Sequence, residues 1–452
     1  MDESNEVYSI GIDIGTTSIK CCALGSDARV ISEKSAVHDA WIKRESHIYR
    51  EQDPLKIFHV LLALLKSMKL KYSSNIIVSI VGQMHGIVFW NGQNLTAGKF
   101  ICSPLITWMD ERVPKEFVNS LPRWNCGELH VGFGMVTLAW LHSSDNLKTE
   151  WTCCGTVMDM LISYLSQSSD AFIGVQNAYS WGYCSYDGYW TLPEKLIPPH
   201  LLPTIRKTDE VVGLVKRSDF DLPVGAQLLS SCGDLQSTVY PVLETGTAVF
   251  NFFKVLNLGT SAQLCFASEV DQAPSTSLLT EPFFGNKRLI VAASMNGGNA
   301  IDIIAQKMIE WASELVSDNK SLKVDYNKLN DILTKPEKCT SSVVRVEPIF
   351  LPERGSTATS CISGISPRTT VNEVFQGIAC GIVCNLFRLL PPQELQRWNV
   401  KRVILAGNAN KTCFVREITQ QCEGRLQILT GFTNTCSAAY GAALRALHVS
   451  RL

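Results

Sequence analysis

Two segments of this chain, about half its length apart, share a pattern of extended strand, Gly-Thr turn and extended strand. In residues 8–24 (YSIGIDIGTTSIKCCAL), Ile10, Ile12 and Ile14 alternate up to Gly15-Thr16-Thr17, and an extended pattern then resumes. Residues 255–264 (VLNLGTSAQL) repeat it, aligning Asp13-Ile14-Gly15-Thr16-Thr17 with Asn257-Leu258-Gly259-Thr260-Ser261. Period-two alternation running into a Gly-containing turn reads as a hairpin. Strand and helix patterns also alternate: Leu55–Leu70 as helix and Asn75–Val81 as strand, then Arg402–Ala406 as strand and Lys411–Cys422 as helix. At 452 residues the chain exceeds the roughly 250–300 at which a single core stops growing. These features predict two related α/β domains, residues 1–240 and 241–452, with the boundary between about 228 and 255.

Hydrophobic content of 46% with 18% charged residues supplies two cores without disulfides or metals. Lys plus Arg (41) balances Asp plus Glu (42) with no long basic run, which argues against nucleic acid or an anionic membrane as partner. The longest apolar stretch, Ile57 to Leu65, is broken by His59 and followed by Lys66, so it reads as a buried helix and not a span of about 20 residues. The acidic start MDESNEVYSI is unlike a secretory signal. The sixteen cysteines occur singly or as adjacent pairs such as Cys21-Cys22 and Cys153-Cys154, without paired Cys-x-x-Cys spacing. Reduced core cysteines and a cytoplasmic location are expected.

A Gly-Thr turn offers backbone N–H groups and hydroxyls to phosphate oxygens, which nominates Thr16 and Thr17, and Gly259, Thr260 and Ser261. Either turn alone is equally an ordinary hairpin turn; the pair favours phosphate. Asp13, on the strand face opposite Ile12 and Ile14, suits a magnesium ion or a turn cap. Within LLSSCGDLQSTVY, Asp234 falls at a helix start, as a base for an attacking hydroxyl or as a plain N-cap. Gln83, Met84 and His85 follow an apolar strand. Trp108 and Asp110, in WMDER, join an aromatic face to hydrogen-bonding groups. Such a set suits a polyhydroxylated substrate, against the plainer reading of a buried His85 and a structural Asp110–Arg112 pair. Gly407 and Asn408 end a buried strand in a small-residue turn that a flat ligand can approach.

Together these residues resemble the FGGY carbohydrate kinases over nearly the whole chain. Residues 11–18 (GIDIGTTS) look like the family's first phosphate motif, Leu258-Gly259-Thr260-Ser261 its second, and Gly233-Asp234-Leu235-Gln236 the motif of the catalytic base. The resemblance implies two actin-like (ribonuclease H-like) domains with a catalytic cleft between them, ATP and Mg2+ as cofactors, and Gln236 among the sugar contacts. It implies a ketose, because Gly82-Gln83-Met84-His85-Gly86 is unlike the arginine-containing counterpart in glycerol kinases. The strings GQMHGIVFW, TWMDER, GFGMVTLAWL, QNAYSWGY, GDLQSTVY and SMNGGN are most similar to members acting on the terminal hydroxyl of a seven-carbon ketose, whose product enters the pentose phosphate pathway. QNAYSWGY predicts a pocket wall of Asn177, Tyr179 and Trp181.

Two departures stand out. Leu405-Ala406-Gly407-Asn408 replaces the family's glycine run beside adenosine, and Phe250–Lys254 reads as an insertion, either a lengthened hairpin or a gene-model error, since Ala248–Asn251 and Val255–Asn257 look like two versions of one strand. Other readings are a pentulose or polyol kinase, an actin-like nucleotide switch, and an inactive nucleotide-binding relative; the retained Asp13 and Asp234 argue against the last. A monomer or homodimer is expected.

Overall fold

The structure, a computed structural model, describes residues 6–243, 247–252, 261–269, 278–285, 287–315, 322–335, 344–351, 353, 358–430 and 437–451. It divides into two compact units. The first comprises residues 1–241, 281–286 and 437–452, and the second comprises 242–280 and 287–436. The chain leaves the first unit after residue 241 and returns to it twice, whereas the sequence reading has a single cut. The physical reason for the second return is an apolar sheet face that residues 437–452 cover.

In the first unit, β1 (Glu6–Ile14), β2 (Ser18–Leu24) and β3 (Val30–Val37) form an antiparallel meander. On the other side β1 pairs in parallel with β4 (Lys71–Gly82), and β6 (Gln227–Leu229) pairs in parallel with β4. β5 (Val211–Leu214) closes that edge, while β7 (Cys232–Gly233) continues beside the end of β4. Ile10, Ile12 and Ile14 are fully buried with Ile57, Phe58 and Leu61 of α1 (Pro54–Met68). Each such side chain contributes roughly 1.5–3 kcal/mol relative to exposure. Asp53 caps α1 by accepting from Leu55 N at 2.9 Å, and Pro54 occupies the first turn, where its missing N–H costs nothing.

The other face is covered by α8 (Ala438–Val449), whose Ala439 and Ala443 pack with Cys22 and Leu24. The approach is close: a Cβ on Gly11 would lie 2.0 Å from the Ala439 carbonyl oxygen. Only a small-residue helix against glycine permits it.

The second unit repeats the arrangement. β8 (Thr247–Phe252) pairs antiparallel with β9 (Ala262–Ser268) and parallel with β12 (Arg402–Gly407). β9 continues to β11 (Arg288–Ser294) and then β10 (Leu279–Pro282), while β12 pairs in parallel with β13 (Gln427–Leu429). Helices α5 (Gly298–Leu315), α6 (Val371–Leu389) and α7 (Thr412–Gln421) belong to this unit. Ile378, Ile382, Leu386, Phe414 and Ile418 from α6 and α7 join its core. Both sheets therefore show the actin-like order of an antiparallel meander continued on one side by parallel strands. Of the two strand versions in the sequence, Thr247–Phe252 forms the strand; Val255-Leu256-Asn257 lies outside the described residues. Residues 15–18 close the first hairpin, whose last pair is Ile14 with Ile19, whereas the second has its last pair at Phe252 and Ala262.

Among the described residues no helix is long and apolar enough to cross a membrane, and no cysteine is in a disulfide.

Candidate active site

The ends of β1, β4 and β7 bring the first unit's candidate residues together. Asp13 precedes the turn by one residue, paired across the hairpin with Lys20 and along β4 with Val81. It is 7% exposed, and its Oδ1 has no hydrogen-bond partner. Burial pushes its carboxyl up to about 6, partly offset by the Lys20 ammonium.

Asp234 is the first residue of α4 (Asp234–Val239), with Gly233 in the cap position. It is therefore not the N-cap, and its Oδ1 accepts from the adjacent Leu235 N at 2.9 Å. Burial, then the charge of Asp13, push its carboxyl up to about 7, with Glu281 acting in the same direction and the Leu235 N–H opposing. Two carboxylates in one poorly solvated place resist simultaneous ionisation.

The turn is held from both sides. Gly15 N donates to Ser18 O at 3.0 Å, His38 lies 3.1 Å through Nε2 from Gly15 O, and His38 N donates to Thr17 O. Gln83 donates to Gln52 at 3.0 Å, and Gln52 donates to the Thr16 carbonyl at 2.6 Å. Trp108 Nε1 donates to the Thr16 hydroxyl at 3.1 Å, which leaves that hydroxyl its own proton to give. Gln83 and Trp108, nominated for sugar, are thus tied to Thr16, nominated for phosphate. Gly82 makes this possible, since a Cβ there would lie 2.3 Å from Ile14 O.

Met84 and Gln236 crowd Gly233: a Cβ there would lie 2.4 Å from both Met84 Sδ and Gln236 Oε1. Gln236 donates to Glu281 at 2.7 Å, while its buried Oε1 and that of Gln83 lack partners. His85 holds φ +70°, a left-handed conformation uncommon outside glycine. Its ring stacks on Phe133 at 4.7 Å, and Nδ1 donates to Ser180 O at 2.7 Å.

Asp110 behaves differently. Its two oxygens accept from Arg112 N, Nε and Nη2 and from Arg50 N, at 2.7–3.0 Å. That occupies about the four positions a carboxylate offers, so Asp110 anchors the loop bearing Trp108. QNAYSWGY also folds otherwise than expected. In α3 (Val175–Trp181) Asn177 donates to Ser231 at 2.9 Å, Tyr179 to Cys126 O at 2.5 Å and Trp181 to Gly86 O at 3.2 Å, all three buried. Asn177 Oδ1, however, lacks a partner. Ser231 also donates to Asp159 of α2 (Val157–Ser166), and Cys232 to Gln176, so α3 supports the strand leading to Asp234.

In the second unit Gly259 and Thr260 lie outside the described residues. Ser261 runs against Gly297, whose Cβ would lie 2.4 Å from the Ser261 carbonyl carbon. Gly407 ends β12 opposite Phe252 with φ 57° and ψ −132°, a conformation suited to glycine, and Asn408 follows in a short helical turn. Gln52 and Glu281 carry no recognisable sequence signal; only folding brings them to this site.

Paired carboxylates thus stand beside a Gly-Thr hairpin turn on an actin-like sheet. The description of the FGGY family of carbohydrate kinases, N-terminal domain, matches residues 8–239. The chain is 30% identical over 475 aligned residues to the sedoheptulokinase of Homo sapiens, covering 96% of each, and 31% identical over 153 residues to the xylulose kinase of Staphylococcus xylosus, covering 31% of this chain and 30% of that protein. The xylulose kinase structure from Rhodospirillum rubrum superposes with a TM-score of 0.75 at 16% identity, covering 97% of this chain and 88% of that one. The chain belongs to the FGGY family of carbohydrate kinases, and is an ATP-dependent sugar kinase.

Proposed function

We propose that the protein transfers the γ-phosphoryl of ATP to the terminal hydroxyl of sedoheptulose, giving sedoheptulose 7-phosphate, in the cytoplasm. The observation that carries the mechanism is the carboxylate pair, in which Asp234 is pushed up to about 7 beside a buried Asp13. A base with affinity near the working pH suits proton removal from a hydroxyl in the transition state. Asp234 takes that proton and aims the oxygen at phosphorus.

Magnesium fits Asp13, because a hard dication takes carboxylate oxygen and the orphaned Oδ1 beside a second carboxylate favours positive charge. When bound it neutralises charge on the transferring phosphoryl oxygens. Thr16 and Thr17 donate to phosphate oxygens. Trp108 lays its ring on sugar C–H bonds, while Gln83, His85 and Gln236 exchange hydrogen bonds with sugar hydroxyls, Met84 fills the apolar side and Asp110 holds Trp108 in place. Ser261, with Gly259 and Thr260, serves phosphate, and Gly407 and Asn408 serve adenosine. The sugar assignment rests on likeness to the human relative along almost the whole chain. Xylulose is the second reading, favoured by the shorter match to the staphylococcal enzyme.

An ATP-turnover assay over pentuloses, hexuloses, heptuloses and glycerol tests both layers. Sedoheptulose should give the highest catalytic efficiency, and equal or higher efficiency on xylulose reassigns the sugar. Asp234→Asn should still bind ATP yet lose about 10²–10⁴ in turnover. Near-normal turnover removes Asp234 from the role of base.

A further inference from the structure

We infer that Cys380, Cys384 and Glu417 form a binding site for a thiophilic divalent cation of the zinc and cadmium class. Cys380 and Cys384 stand four residues apart on α6, a spacing that puts both side chains on one helix face. Glu417 reaches them from α7. The sulfurs are 4.0 Å apart, Cys384 Sγ is 3.9 Å from Glu417 Oε1, and the three donor atoms lie within 4.8 Å of one another.

Tetrahedral zinc holds sulfur at about 2.3 Å, which sets two coordinated sulfurs about 3.8 Å apart; its oxygen bonds of roughly 2.0–2.2 Å bring the sulfur–oxygen edge to about 3.5 Å. The observed separations of 4.0 and 3.9 Å are thus within a few tenths of an ångström of coordination geometry. Gln421 donates to Glu417 Oε1 at 3.0 Å and lies 3.5 Å from Cys384 Sγ, the kind of outer contact that orients a ligating carboxylate. Arg416, the residue before Glu417, donates to Gln376, one turn before Cys380, at 3.1 Å, so the two helices already meet through polar groups here.

All three donors are half-buried, so a cation arrives from solvent and water completes the fourth position. By contrast Cys413 and Cys422 of the same region are sealed in the apolar core. On binding, each thiol releases its proton to solvent and each thiolate donates its electron pair to the metal, with no change of oxidation state. Sequence inspection for paired Cys-x-x-Cys misses the site, because the two cysteines are spaced Cys-x-x-x-Cys and the third donor comes from another helix.

The test is titration of the reduced full chain with Cd2+, read by thiolate-to-cadmium ultraviolet charge transfer and by competition with Zn2+. One equivalent should bind, and the Cys380→Ala/Cys384→Ala double variant should lose the band. Glu417→Gln keeps both thiols and should weaken binding at least about tenfold. Sugar-kinase turnover of each variant, expected near wild type, reports that it has folded. No band in the wild type, an identical band in the double variant, or undiminished affinity in Glu417→Gln overturns the proposal.

Discussion

Asp13 illustrates how an active residue works against the fold that carries it. Its carboxyl is pushed from an ordinary value of 3.8 up to about 6, so the folded chain retains a proton that the unfolded chain releases. Where the folded state binds more protons, stability falls as pH rises, here between about 4 and 6. Asp13→Asn should therefore raise the stability of the magnesium-free protein at pH 8 by up to about 3 kcal/mol, two units at about 1.36 each, while turnover collapses. The gain should vanish near pH 4. Thermal melts at the two pH values check this, and a variant less stable than wild type at pH 8 would show that Asp13 is satisfied in a way its geometry does not reveal. Asp110 warrants a different expectation: Asp110→Ala leaves the Arg112 guanidinium, 13% exposed, without its bidentate partner, and should cost about 3–5 kcal/mol. Chemical denaturation measures it, and a change within 1 kcal/mol would mean that Glu51 alone suffices to hold Arg112.

At the scale of elements, small residues decide how closely helices approach the site. Gly441 of α8 faces α4, and a Cβ there would lie 1.8 Å from the Ser237 carbonyl oxygen. Neither partner can yield cheaply, since that oxygen belongs to the helix that begins at Asp234. Gly441→Ala should cost about 1–3 kcal/mol or more and displace α4. Turnover should then fall further than the folded fraction does, which circular dichroism and assay on one sample separate. Equal losses in both would limit Gly441 to a packing role. The case of α3 runs the other way: its Asn, Tyr and Trp read as a ligand wall in sequence, yet the helix turns them inward to support the strand below the base.

For the whole molecule, the return of the chain to its first unit matters most. α8 covers the face of β1, β2, β4 and β6 that α1 does not, burying Cys22, Leu24, Ile77 and Leu229 against its alanines. A chain ending at residue 436 would expose that face, and we expect it to be insoluble or without a cooperative melt. A soluble, cooperatively melting truncation would show that the first unit's core is sufficient without α8.

Local pattern was enough for much of this protein. Alternation over Ile10, Ile12 and Ile14, the helical spacing of residues 55–70, the strand at 402–406, the helix after it and the placing of Asp234 at a helix start were all legible, because each is set by residues within a few positions of one another. Motif spacing likewise made the family legible. What distance in sequence concealed was settled only by folding: Gln52 bridging Gln83 to Thr16, Glu281 meeting Gln236, Asp110 saturated by Arg112 and Arg50, and Glu417 meeting two cysteines of another helix. The use of Thr247–Phe252 as the strand, and the return of residues 437–452 to the first unit, belong with these. Each depends on which surfaces lack a cover once the sheets have formed, and no short window of sequence carries that information.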